Sequence, residues 1–250
     1  MKIDNLFTKE AKKAIKETLN VGEKKSINES FAAQPKKFNL KTDFLSPSNA
    51  QNHIELYEKY VKDFNSVSAQ LDAVDKSEAN SNHSPYRSLK IDETYNMNAA
   101  YLHELWFSNI ADANSRISMD SLAYMRLNRD FGTFDDWQRD FIACAMSARC
   151  GWAITYLNTY TQSYMNCVID LHSQNVPVGM QPVIVMDLWQ HAYYRDYLKD
   201  INSYMNAMMK QLRWPVIESR FEKADKILNI IRGVWNEQKF IYSSWARITY

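Results

Sequence analysis

Pro182-Val183-Ile184-Val185-Met186 constrains this chain most, because it is a β-branched apolar run that ends in a carboxylate, Asp187. Such a run reads as a buried strand. Asp187-Leu188-Trp189-Gln190-His191-Ala192-Tyr193-Tyr194 follows, placing an imidazole four residues beyond the carboxylate. If the turn is helical, at ~100° per residue, the two groups lie ~40° apart on one face. One short segment then presents two ligands to a single metal ion. A blander reading stands beside it: a strand-end Asp is often a helix N-cap, and a His among aromatics is often a satisfied core residue.

With 250 residues the chain can bury a good core as one domain or two small ones. Lys+Arg number 30 against 29 Asp+Glu, which argues against a dedicated nucleic-acid binder. No apolar stretch approaches the ~20 residues needed to span a bilayer, and nothing resembles a secretory signal. The expectation is a soluble intracellular protein, cytoplasmic, mitochondrial or associated with an assembly. Cys144, Cys150 and Cys167 form no C-x-x-C pair, so no disulfide framework or thiolate zinc site is indicated.

Residues 1–45 are expected to be an N-terminal extension. Within it Lys9 to Glu17 reads as a short basic helix, either a presequence or a docking segment, although its acids weaken the presequence reading. From Ser46 apolar residues recur at Ile54, Tyr57, Val61, Phe64, Val67 and Leu71, predicting a long helix. A polar break from Ser77 to Pro85 separates it from a second helix over Asn96 to Asn109, and the two pair as an antiparallel hairpin in residues 46–125. Phe134 to Ala148 predicts another helix. Trp152 to Leu157, Tyr164 to Leu171 and Val183 to Met186 predict three strands, and one helix then runs from the Asp-to-His motif to Trp214-Pro215. The fold class is α+β: a long N-terminal helical hairpin, then an α/β domain over residues 126–221 with a small three-stranded antiparallel sheet.

There are five histidines. His83 lies in the polar break and reads as exposed; His172, at a strand end, reads as lying outside the ligand set or exposed. His53, His103 and His191 remain, all on predicted helices among apolar residues. With Asp187 they make a set of three nitrogens and one oxygen, which suits a redox-active first-row metal.

These residues resemble the iron/manganese superoxide dismutase family. Asp187 to Tyr194 matches its D-x-W-E-H-A-Y-Y except at Gln190, and Asn98 to Asn109 is similar to its second-ligand helix. Gly132-Thr133-Phe134 and Cys150-Gly151-Trp152-Ala153 are similar to its F-G-S-F and G-S-G-W-A segments. The resemblance runs from about Ser46 to Phe221. It implies that His53, His103, Asp187 and His191 bind one iron or manganese ion, with solvent as fifth ligand, and that the ion converts superoxide to dioxygen and hydrogen peroxide. Tyr60 and Gln174 are the implied catalytic side chains, Gln174 matching the Gln of the family's N-Q-D turn. Ala99, four residues before the second histidine, leans the metal towards manganese.

Several positions depart from the family. One residue is missing between Ser46 and Tyr60-Val61, so the first-ligand helix, widened in the family, is expected to be regular, with His53 and Tyr60 on one face as i and i+7. The family's second histidine on that helix is replaced by Tyr57 or Leu56, its bridging Glu by Gln190 and its funnel Arg by Ile201, with Lys199 the nearest cation. Trp106-Phe107 inverts the usual aromatic order. Residues 222–250 form a C-terminal extension with a stripe of Ala224, Ile227, Ile230, Ile231 and Val234, then an aromatic tail; it wraps its own domain or docks on a larger assembly. The expected partners are superoxide and either a second copy or a larger protein assembly, with no nucleic acid and no membrane span. The enzyme reading has one rival, a structural subunit of a virion or organellar complex that kept the fold and lost turnover.

Overall fold

The computed structural model describes residues 32–110 and 115–245, with side chains to residue 233. The expected helix over residues 9–17 lies outside what is described, as do the side chains of the aromatic tail. Two long helices come first, α1 (Pro47–Ala73) and α2 (Pro85–Ser108). Each starts the same way. The Ser46 hydroxyl accepts from Asn49 N at 3.2 Å, the Ser84 hydroxyl accepts from Arg87 N at 3.0 Å, and a proline follows each cap. Such a cap contributes about 1 kcal/mol, and proline at the first helical position sacrifices no hydrogen bond. α1 buries His53, Tyr57, Val61, Val67 and Leu71 against α2, which buries Ala99, Leu102, His103, Trp106 and Phe107. α2 starts earlier than its apolar pattern suggested, because its first turns are amphipathic in name only and rest on the Ser84-Pro85 start.

Two shorter helices, α3 (Leu122–Phe131) and α4 (Phe134–Ser147), are separated by Gly132, whose φ of 92° ends α3, and by Thr133, whose hydroxyl caps α4. They cover a three-stranded antiparallel sheet of β1 (Gly151–Asn158), β2 (Ser163–Asp170) and β3 (Met180–Asp187), in the order β2-β1-β3. β1 is central and buried from Gly151 to Leu157, which explains its unbroken apolar run. Gly151 pairs with Asp170, and a Cβ built on it would run into the Ile169 carbonyl. Gly151→Ala should therefore cost about 3 kcal/mol by overpacking against backbone that cannot yield. Chemical denaturation measures this; a loss below about 0.5 kcal/mol would mean that the β1–β2 pairing opens freely there.

The segment expected to be one helix after the Asp-to-His motif is three. α5 (Gln190–Tyr197) ends at Leu198, which takes φ 52°, and α6 (Ile201–Met209) starts from an Asp200 cap. α7 (Trp214–Trp245) then packs on β3 and α3. It passes residue 221 without a break, and Ala224 and Leu228 are buried in the core while Ile230 is exposed. The first part of the expected C-terminal extension thus belongs to the same packed body. So do residues 33–45: the Asn65 amide bonds both Ala33 N and Ala33 O at 2.8 Å, and Phe38 lies against Tyr57 and Phe107. Among the described residues, no helix is long and apolar enough to cross a membrane.

Candidate metal centre

His53, His103, Asp187 and His191 meet where α1, α2, the end of β3 and the start of α5 converge, and their ligand atoms all lie within 4.8 Å of one another. The first three are buried, at 1%, 0% and 0% exposure, so no water shell competes for them. Asp187 Oδ2 stands 3.1 Å from His53 Nε2, 3.3 Å from His191 Nε2 and 3.6 Å from His103 Nε2. Asp187 and His191 do not share a helical face as their spacing suggested. Asp187 closes β3, Leu188 and Trp189 turn the chain, and Trp189 N donates to Asp187 Oδ1 at 2.9 Å. The backbone of Asp187 is held as well, where the Tyr204 hydroxyl donates to its main-chain carbonyl at 2.7 Å.

α1 is α-helical throughout, so His53 and Tyr60 do face inward together, as i and i+7 of a regular helix. The Tyr60 ring lies 5.5 Å from that of His103. Trp106 and Phe107 flank His53 at 4.6 and 5.1 Å, Trp152 stands edge-on to His103 at 5.0 Å, and Trp189 stacks on His191 at 5.7 Å. His191 is the open member, its side chain 25% exposed.

The polar chemistry of this pocket suits a cation. His103 Nδ1 is 2.6 Å from the Ala99 carbonyl, which can only accept, so the ring proton sits on Nδ1 and the Nε2 lone pair faces His191 Nε2 at 3.4 Å. Burial lowers the pKa of His53 and lowers that of His103 well below the usual imidazole range, favouring neutral rings. Burial alone would raise the Asp187 carboxyl; His191 and His53 outweigh it and hold it below the usual range. A buried carboxylate beside the His53 and His103 rings is a cluster with acceptors in excess. A bound cation resolves that excess, and with no thiolate present the donor set fits iron or manganese.

Gln174 is not part of this cluster. It is exposed on the turn after β2, with its backbone bridged to Asp170. Ala99, on which the lean towards manganese rests, is fully buried on α2 one turn before His103. His172, two residues before Gln174, is the group that arrives: it is fully buried, its Nδ1 accepts from Trp152 Nε1 at 3.0 Å and its Nε2 is 3.1 Å from the Tyr60 hydroxyl. Leu171 makes this possible by adopting φ 54°, which turns the chain so that His172 points inward. A left-handed leucine carries no sequence signal. Tyr57 takes no part either; its hydroxyl accepts from Lys36 N and donates to Glu104 Oε1, both at 2.9 Å, tying residues 33–45 to the hairpin. Gln190 and Lys199 are exposed.

Residues 120–220 match the family model for the C-terminal domain of iron/manganese superoxide dismutases. Iron superoxide dismutases of Aquifex aeolicus and Aquifex pyrophilus are each 33% identical over 202 residues, 76% of this chain and 94% of theirs. A manganese superoxide dismutase of Halobacterium salinarum is 32% identical over 133 residues, 53% of this chain and 66% of its own. Relatives named for either metal thus match this chain, and the chain belongs to the iron/manganese superoxide dismutase family.

Proposed function

We propose that the protein is a superoxide dismutase in which His53, His103, Asp187 and His191 hold one iron or manganese ion. The observation that carries this is the convergence of three imidazole nitrogens on one buried carboxylate oxygen. When bound, the ion would supply one-electron redox chemistry, so that two superoxide ions and two protons give one dioxygen and one hydrogen peroxide. The protein's own task is to fix the ligands, exclude bulk water and hold protons nearby. Asp187 contributes a negative charge that offsets part of the ion's. The aromatic wall of Trp106, Phe107, Trp152 and Trp189 keeps the pocket small and dry. Tyr60 and His172 stand beside His103 and are the residues best placed to handle a proton. Purified protein loaded with iron or manganese should carry one ion per chain and yield one peroxide for each two superoxide ions consumed. A loaded protein with no turnover above free metal would overturn the proposal.

The exchange of Gln174 for His172 gives a separate expectation. His172→Leu should keep the ion and lower turnover by about 10- to 100-fold, the usual effect of removing a hydrogen bond that supports a metal site. Gln174→Leu, on an exposed turn, should change stability by less than about 0.5 kcal/mol and leave turnover intact. The opposite pattern, with Gln174→Leu inactive and His172→Leu active, would return the role to Gln174.

A further inference from the structure

Arg220, on α7, is buried to 9% exposure where that helix meets the end of α2 and β3. Its Nη1 donates to Asn109 Oδ1 at 3.1 Å and to the Val183 carbonyl at 3.0 Å, and its Nη2 donates to the Leu105 carbonyl and the Ser108 hydroxyl, each at 2.7 Å. All four acceptors are neutral. Among the described residues no carboxylate pairs with the guanidinium, and nothing accepts from its fifth donor, Nε–H. A buried cation without a counter-charge is costly, and burial pushes the Arg220 pKa down to about 10. Arg220 forms part of the wall of a cleft of about 550 Å³, within the range of about 300 to 1,000 Å³ typical of small-molecule sites. Lys223, three residues on along the same face of α7, stands exposed on its rim, and among the described residues it has no acidic partner. Lys36 and Glu104 line the cleft too, but pair with each other. Much of the remaining wall is apolar, including Phe38, Leu105, Pro182 and Val216. None of these residues belongs to the metal centre.

We propose that this cleft binds a small organic anion, a carboxylate carried on a flat apolar body, with Arg220 and Lys223 holding the carboxylate and Phe38 and Pro182 packing on the body. Two cations without acids call for an anion, and the apolar wall selects one with a hydrophobic body over inorganic phosphate. Benzoate is the probe, titrated by calorimetry into the full-length protein, beside benzamide, its uncharged counterpart, and inorganic phosphate. Benzoate should bind saturably with a Kd of about 1 mM, within reach of so small a ligand, and the other two at least about tenfold more weakly. Lys223→Glu turns an attraction into a repulsion at an exposed position and should weaken benzoate about tenfold. Lys226→Glu makes the same change in net charge at an exposed position outside the cleft, and should leave benzoate binding as it was. Absence of saturable benzoate binding would overturn the proposal, and so would benzamide or phosphate binding as tightly as benzoate. Equal weakening in the two lysine variants would overturn it as well, since benzoate would then be answering to net charge and not to the cleft.

Discussion

Asp187→Ala and His191→Ala should each take the metal content of the purified protein from one ion per chain to near zero. Asp187 is the only anion among the four ligands, and its Oδ2 is the point on which all three imidazoles converge. Its removal leaves the proposed cation with imidazole ligands alone and no charge to offset its own. The folded protein should lose stability as well, since an ion at about a thousand times its dissociation constant stabilises the folded state by about 4 kcal/mol. Asp187→Ala should cost more than His191→Ala in the metal-free protein too, because the Trp189 amide at the turn loses its acceptor. Elemental analysis and thermal denaturation with and without added metal measure both. Metal retained in either variant would remove that residue from the ligand set.

The second large effect is a loss of stability on acidification of the metal-free protein. His172 is buried, and burial lowers its pKa from 6.5 to about 4. Below pH 6.5 the unfolded chain takes up a proton that the folded chain refuses until about pH 4. Stability from this residue is therefore fully present above pH 6.5 and falls steadily between 6.5 and 4. The fall from 6.5 to about 4, at about 1.36 kcal/mol for each step of one in pKa, amounts to about 3 kcal/mol. His53 and His103 are lowered in the same sense and steepen the fall. Denaturation curves at pH 7 and 4.5 should show the drop, and His172→Gln should remove about 2 to 3 kcal/mol of it while sparing the rest. An identical pH dependence in the variant would mean that His172 protonates in place at no cost.

Much of the fold was legible because its signals are periodic. The β-branched run from Val183 gave β3, and the apolar recurrence after Ser46 gave α1. α3 was missed because its ten residues give fewer than three turns over which a period can repeat. The single helix expected after Asp187 is broken at Leu198, and leucine does not advertise a positive φ. The four ligands were legible by residue type and family pattern. The inward turn at Leu171 was not, so a glutamine two positions too late was assigned the place that His172 occupies. Burial, which distinguishes the two, is a property of the finished packing and not of the local sequence.

The ligands come from opposite ends of the chain: His53 and Asp187 are 134 positions apart, and His103 and His191 are 88 apart. Nothing local brings any such pair together, so during folding the loop-closing entropy falls due before the ion can contribute anything in return. The α1–α2 hairpin alone brings together only His53 and His103, without the carboxylate. An ion at the proposed site would then be chosen by the completed framework from whatever metals surround it at that late moment. Supply during biosynthesis, as much as affinity, would set which metal fills it.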